Sequence, residues 1–319
     1  MSKFRGVLAF ILVVAALVAC GGTDVAHGPT ANPGPTHSLL SVRAPAVSFT
    51  IATYNIEGYY HQTFPGDTAS GLGASHLGAI VHNVRAMGLA VVGLQEYRDA
   101  ALGDPRQIQA ALANGWKGVY GRGRMAQLPI LYDSNVVSLV ASEYQSGIVG
   151  TPGCPPGSGS GEVNYAEFAI RATGARFVVA NVHANSNWGA PCDTERLNLV
   201  RSVTRNTLVH RFRGPEFIIG DMNSAQIPLP GRSNNVPAYL AGTGFADAVT
   251  HATTGAPPGI ASFGTMENTL ASIDHVFYKN ISAPSSYVTL ACIPQATCGS
   301  DHRPVAATFP VSAFRAARS

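Results

Sequence analysis

Charge is scarce in this chain. Only 12% of its 319 residues are Asp, Glu, Lys or Arg, about half the share of an ordinary soluble protein. Lysine is nearly missing, with Lys3, Lys117 and Lys279 the only three. The formal charge is +3, and two of the cations, Lys3 and Arg5, lie in a segment expected to be removed. The remainder is close to neutral, which excludes a general electrostatic grip on a polyanion; contact with nucleic acid would need a local patch. No period of about 20–50 residues appears, which excludes a solenoid. The 34 Gly and 21 Pro exclude a coiled coil and favour short elements joined by many turns. What is abundant is apolar: 46% of residues are hydrophobic, enough to build a large core and to exclude disorder over the whole chain.

The amino terminus reads as an export signal. Lys3 and Arg5 precede the uncharged run Val7 to Ala19, which falls short of the roughly 20 residues of a membrane-spanning helix but suits the apolar part of a signal peptide. The segment Leu17-Val18-Ala19-Cys20-Gly21 resembles a bacterial lipobox. That resemblance implies cleavage before Cys20 and a lipid anchor on it; ordinary secretion with cleavage after Ala19 is the alternative. Residues 20–47, rich in Gly, Pro, Thr and Ser, read as a flexible tether in which His27 and His37 are solvated. The expected organisation is a leader over 1–19, the tether, a folded domain over 48–312 and a tail over 313–319. The product is expected at the cell surface or secreted.

Four cysteines remain beyond Cys20: Cys154, Cys192, Cys292 and Cys298. An even number in an exported protein suggests two disulfides. Three pairings exist; the short loop from Cys292 to Cys298 is the simplest, leaving Cys154 with Cys192. The absence of CxxC and of a neighbouring His pair argues against a zinc site.

The body alternates strands and helices. Strands are expected over Phe49–Ile56, Leu89–Gln95, Gly118–Tyr120, Leu128–Tyr132, Val136–Glu143, Tyr165–Arg171, Arg176–His183, Phe217–Gly220, Ser272–Tyr278 and Val305–Phe309, from alternation or fully apolar runs. One helix presents Leu77, Ile80, Val81, Val84 and Met87 on a single face and ends at Gly88. A second is expected to start at Asp104-Pro105, and a longer one at an Asp193 cap with Leu197, Val200, Leu208 and Phe212 inward. The fold class is α/β, most simply two sheets packed face to face with helices outside.

Polar residues collect where these strands end: Thr53-Tyr54-Asn55, Leu94-Gln95-Glu96, Asn181-Val182-His183, Gly220-Asp221-Met222-Asn223, Ser272-Ile273-Asp274-His275 and Ser300-Asp301-His302-Arg303-Pro304. Each alone is a weak signal, since a lone strand-end Asp is usually a turn residue. The ordered series resembles the endonuclease/exonuclease/phosphatase superfamily, which includes DNase I-like nucleases, neutral sphingomyelinases and inositol polyphosphate phosphatases, over about Ser48 to Phe309. The resemblance implies a four-layer sandwich.

Phosphodiester cleavage asks for a divalent ion on the scissile oxygens, a base for water and an acid for the leaving group. Mg²⁺ prefers carboxylate oxygens, with Mn²⁺ or Ca²⁺ as substitutes, and Glu96 is the best single ligand candidate. The resemblance places Asn55, Glu96 and Asp301 at the metal, Asn223 on the phosphate, and His302 against Asp274. It makes His183 a candidate acid for the leaving oxygen. Asp221 and His302 both remain candidates for the base. His275, on the other face of its strand, is expected to pack; His61 and His76 are expected to be structural or solvated. Arg122 and Arg124 are phosphate-contact candidates or solvated loop residues. Trp188 is open between substrate contact and a disulfide-pinned aromatic.

A phosphodiester of nucleic acid is the preferred substrate, with a phospholipid headgroup, as in a sphingomyelinase, as the alternative. No amphipathic or aromatic hairpin that would enter a bilayer is seen, and no Lys/Arg run suits an inositol polyphosphate. A non-catalytic surface-binding lipoprotein is the third reading. No protein partner is implied, and a monomer is expected.

Overall fold

A computed structural model describes residues 48–57, 67, 72–97, 106–121, 128–146, 150–156, 162–226, 233–252, 254, 272–290 and 299–314, all within the compact unit Ala44–Ser319. The leader, Cys20, the tether histidines, His61, Asp104, Pro105, Arg122, Arg124, Cys292 and Cys298 lie outside the described residues. Among those described, no helix is long and apolar enough to cross a membrane.

The strands are β1 Ser48–Asn55, β2 Val91–Gln95, β3 Trp116–Val119, β4 Ile130–Asp133, β5 Val137–Gln145, β6 Val163–Ile170, β7 Arg176–His183, β8 Glu216–Asp221, β9 Ala246–Asp247, β10 Asp274–Lys279, β11 Ser286–Thr289 and β12 Val305–Pro310. The helices are α1 Ala74–Ala86, α2 Gln107–Leu112, α3 Ala190–Arg205, α4 Thr207–His210, α5 Asn235–Gly242 and α6 Ala248–His251. Two six-stranded mixed sheets result, ordered β11-β12-β1-β2-β4-β3 and β5-β6-β7-β8-β10-β9.

Each sheet is built around one parallel pair, β1 with β2 and β7 with β8. A parallel pair needs a crossover, supplied by α1 in the first case and by α3 and α4 in the second. The central strands are buried on both faces, so β2 and β8 carry no exposed residue, and the stretches Val91–Leu94 and Phe217–Gly220 within them are apolar. Between the sheets lies an aromatic core. Phe49 meets Phe177 at 4.9 Å, and Phe217 meets Phe309 at 5.2 Å, both edge to face. Phe314 joins it at 5.0 Å from Phe49, so packing continues past residue 312. Two further apolar clusters seat α1 and α2 on one sheet and α3 and α5 on the other.

At one end the inter-sheet layer turns polar. Gln95 Nε2 donates to Asn181 Oδ1 at 2.6 Å, and Asn181 Nδ2 donates to Leu94 O at 2.8 Å and Pro129 O at 3.1 Å. Thr53 Oγ1 donates to Gln95 Oε1 at 3.1 Å. A Cβ at Gly93 would sit 2.6 Å from Asn181 Oδ1, so the missing side chain admits the amide that bolts β2 to β7.

Two helix starts differ from expectation. The second helix begins at Gln107 after Arg106, without a side-chain cap. The long helix begins after Gly189, at φ 104°, with Pro191 in its first turn. Asp193 lies inside that turn instead of capping it, because its carboxylate is engaged by Arg196 and by Ser233 Oγ. The helix also breaks at Asn206, whose side chain accepts from Leu208 N at 2.8 Å and starts α4. The disulfide Cys154–Cys192 is present.

Candidate active site

All eight residues singled out by the strand-end series meet at one end of the sandwich. The two parallel pairs run in the same sense, so β1, β2, β7 and β8 deliver Asn55, Glu96, His183 and Asp221 together, the arrangement expected at the carboxyl ends of parallel strands. The antiparallel register of β10 puts Asp274 directly opposite Asp221. The turn before β12 supplies Asp301 and His302.

Asp221 is the hub. Its Oδ2 accepts from Asn55 Nδ2 at 3.2 Å and lies 3.6 Å from His183 Nε2 and 3.7 Å from His302 Nε2. Its Oδ1 accepts from Asn223 N at 2.8 Å, and Asn223 Nδ2 donates to Ala184 O at 3.0 Å. Asn55 Nδ2 also donates to Glu96 Oε1 at 3.1 Å, so Asn55 reaches both carboxylates through its amide nitrogen. His302 Nδ1 lies 2.8 Å from Asp274 Oδ2, and its Nε2 faces Asp301 Oδ1 at 3.9 Å. Ser300 Oγ donates to Asn55 O at 2.6 Å and accepts from His302 N at 2.9 Å, which ties the last turn to the end of β1.

Three side chains here stand on left-handed backbone: Glu57 at φ 49°, Glu96 at 55° and Asn223 at 45°. Asn tolerates this region; for Glu it stores strain on the order of 1–3 kcal/mol, which the surrounding structure must hold. Glu57 is the site residue that sequence reasoning missed. Its Oε2 accepts from Asp301 N at 2.9 Å, a partner 244 positions away, and nothing local marks that contact.

The electrostatics are those of crowded carboxylates. Burial pushes the Asp301 carboxyl up to about 6; His302 opposes this, while Glu57, Glu96 and Asp221 add to it. For His302, burial pulls downward, but Asp274, Asp221 and Asp301 together raise it well above its ordinary value. Glu96 and Asp301 are the more open carboxylates, with side chains 15% and 26% exposed against 2% for Asp221 and 1% for Asp274.

This donor set suits a hard divalent cation. Asp221, Asp274 and His302 offer ligand atoms within 4.8 Å of one another, although Asp274 and His302 already bond each other. Buried His183 Nε2 has no hydrogen-bond partner among the described residues and faces two carboxylate oxygens, Glu96 Oε1 at 3.7 Å and Asp221 Oδ2 at 3.6 Å. Glu57, Glu96 and Asp221 each act on Asp301, and such crowded carboxylates are mutually repulsive until a cation or proton enters.

Other expectations resolve differently. His275 is buried, stacks on Phe277 at 4.9 Å, and pairs with Asp247 at 2.7 Å. Burial lowers it, but Asp247, the Ser224 carbonyl and Asp274 together raise it. It packs as expected, with a charged partner the sequence did not reveal. His76 is fully buried. Trp188 is 50% exposed.

The model of the Endonuclease/Exonuclease/phosphatase family matches residues 52–302. The chain belongs to that family, whose members hydrolyse phosphoester bonds. Similar solved structures include an endonuclease/exonuclease/phosphatase from Bacteroides vulgatus, 19% identical with a TM-score of 0.62 over 82% of this chain and 98% of that one. A Bacteroides thetaiotaomicron mannosyl-6-phosphatase is 20% identical with a TM-score of 0.60 over 81% and 98%. D. rerio TDP2 complexed with single-strand DNA product is 15% identical with a TM-score of 0.56 over 82% and 98%. At these identities the likeness is one of fold. No curated protein matches the chain in sequence.

Proposed function

We propose that this protein is an exported, divalent-metal-dependent phosphodiesterase that acts on nucleic acid. The observation that carries the chemistry is the position of Asp221 Oδ2, within 3.7 Å of both His183 Nε2 and His302 Nε2 and bonded to Asn55. One carboxylate oxygen between two imidazoles is the geometry for orienting a water against a phosphorus atom.

Glu96 and Asp301 would hold the cation, with Asn55 orienting Glu96 and Asp221; when bound, it neutralises charge on the phosphoryl oxygens. Asp221 orients the attacking water and takes its proton. His302 is raised well above its ordinary value by Asp274, Asp221 and Asp301, which favours giving a hydrogen bond to a phosphoryl oxygen. Asp274 fixes the ring through Nδ1. His183 donates its proton to the leaving oxygen from the β7 side, and Asn223 adds an amide contact to the phosphate.

The nucleic-acid reading is supported by the fold shared with TDP2 complexed with single-strand DNA product. The near-neutral balance of 21 Lys and Arg against 18 acidic residues gives no general grip on a polyanion, which suits single strands or ends better than a long duplex. A phosphomonoester substrate is the second reading, favoured by the likeness to a mannosyl-6-phosphatase, whose TM-score of 0.60 exceeds the 0.56 of TDP2. Export rests on the leader sequence, with the anchor at Cys20.

The test is hydrolysis by the purified protein of plasmid DNA, RNA, a sugar phosphate and sphingomyelin, with Mg²⁺ and with chelator. Cleavage of nucleic acid that chelator abolishes supports the proposal. Turnover of the sugar phosphate or the lipid alone overturns the substrate, and turnover of none overturns the activity. Mass analysis of Cys20 in the membrane fraction tests the anchor, which an unmodified cysteine refutes.

A further inference from the structure

Three described histidines pair Nδ1 with a carboxylate: His302 with Asp274 at 2.8 Å, His275 with Asp247 at 2.7 Å and His76 with Asp67 at 2.8 Å. They differ at Nε2. That of His302 faces the site carboxylates, and that of His275 meets Ser224 O at 3.0 Å. The Nε2 of His76 meets two main-chain carbonyls, Ile56 O at 3.0 Å and Gly299 O at 2.8 Å. Ile56 directly follows Asn55, and Gly299 opens the turn that carries Asp301 and His302. One imidazole on α1 therefore touches two of the three chain segments by which the first sheet builds its half of the site, the third being the end of β2 at Glu96.

We propose that His76 is a positioning residue that fixes the distance between the end of β1 and the 299–302 turn, and so the spacing of Asn55 and Glu57 from Asp301 and His302. The Asp67 carboxylate and the two carbonyls are all acceptors, so each ring nitrogen faces an acceptor. The side chains of His76 and Asp67 have no solvent exposure. A buried polar ring on a helix face shared with Ile80 and Val84 is unfavourable unless each polar atom is matched, and here the matching groups are the main chain of the site. A second observation stands apart from those bonds. Gly299 has φ 62°, and a Cβ there would meet Ala79 Cβ at 3.1 Å and His76 Cδ2 at 3.2 Å, so the turn lies directly on α1. Asp67 locks the other side of the ring, its Oδ1 accepting from Gly73 N at 2.5 Å at the start of α1.

The inference rests on the proposed metal-dependent reading only for its metal-binding arm. The experiment compares the full chain with its His76→Gln variant. Amide hydrogen exchange is followed without metal at residues 55–57 and 299–302, against Ala184 and Asn223 on the other sheet, and Mn²⁺ affinity is measured by calorimetry. Expected is exchange about tenfold faster at Asp301 and His302 with Ala184 and Asn223 unchanged, and Mn²⁺ affinity lower by about 10–100-fold, the usual effect of losing a residue that orients ligands. Wild-type exchange and wild-type Mn²⁺ affinity in folded His76→Gln overturn the proposal. If that variant does not fold, Gly299→Ala loads the same joint from the other side, with the same expected pattern and the same overturning result. If wild type binds no Mn²⁺ and cleaves no phosphoester while exchange at 299–302 still accelerates, the functional reading falls and the positioning role stands.

Discussion

Asp274 and Asp221 face each other across the β8–β10 register, yet they serve different ends of one imidazole. Asp274 Oδ2 lies 2.8 Å from His302 Nδ1, while Asp221 Oδ2 lies 3.7 Å from His302 Nε2. Replacing Asp274 with Asn keeps the shape but removes the charge that orients and protonates the ring. The expected result is a fall in kcat of about a hundredfold or more with KM little changed, read by steady-state kinetics on a phosphodiester. A variant rate within threefold of wild type would show that the pair does not matter to turnover.

Glu96 occupies φ 55° and adds to the repulsion that raises Asp301. Glu96→Asn relieves both, since Asn accepts left-handed backbone. Thermal unfolding without metal should occur at a higher temperature than in wild type, while phosphoester hydrolysis is lost, the usual trade between stability and activity. A lower unfolding temperature would mean that the strain is not stored there.

Gly220 is the residue before Asp221, at φ 145°, and a Cβ there would overlap Val182 O on the neighbouring strand. Gly220→Ala should destabilise the protein by about 4 kcal/mol or more, or prevent folding. Gly242, at the end of α5, meets nothing within 4 Å, and Gly242→Ala should be neutral or stabilising by up to about 1 kcal/mol. Denaturant unfolding of both variants checks the contrast; equal effects would refute the close approach of β7 and β8.

Cys154–Cys192 closes a loop with a sequence separation of 38 around the segment after His183. Asn185 is also tied there, donating to Glu195 Oε1 at 2.9 Å and to Pro155 O at 3.1 Å. Loop-closure entropy puts the bridge at roughly 3–4 kcal/mol. The Cys154→Ser, Cys192→Ser double variant should unfold at correspondingly lower denaturant, and unchanged unfolding would show that the hydrogen bonds suffice.

Far from the site, burial pushes the Glu216 carboxyl up to about 7, against the pull of Lys279, Arg213 and the Asn280 hydrogen bond. Between the unfolded value of about 4.3 and 7, the folded protein therefore binds more protons than the unfolded chain. This group's contribution to stability is full below that window and is lost as pH rises through it. Glu216→Gln should raise the unfolding temperature at pH 8 relative to wild type, with the gain shrinking towards pH 4.5. A gain independent of pH would contradict the shift.

Much of this was legible in the chain. Ten strands could be read, because fully buried strands must be apolar and half-buried ones must alternate. Two were not: β9 has two residues, too few to show a period, and β11, Ser286–Thr289, has only one apolar residue facing the core. Asp193 was misread as a cap because a strand-to-helix Asp is usually one; its carboxylate is held by Arg196 one turn on in the same helix and by Ser233, 40 positions away. His76 and Glu57 escaped for the same reason, since their partners Gly299 and Asp301 are over 220 positions away.

By itself, the order of residues determined the layers and the set of polar groups: hydrophobic period dictates burial, and polar side chains at strand ends have nowhere apolar to go. Only the tertiary structure decided which atoms face one another. The parallel crossovers, the β8–β10 register and the joint between α1 and the 299–302 turn set ångström distances, and these depend on main-chain packing that no local pattern encodes.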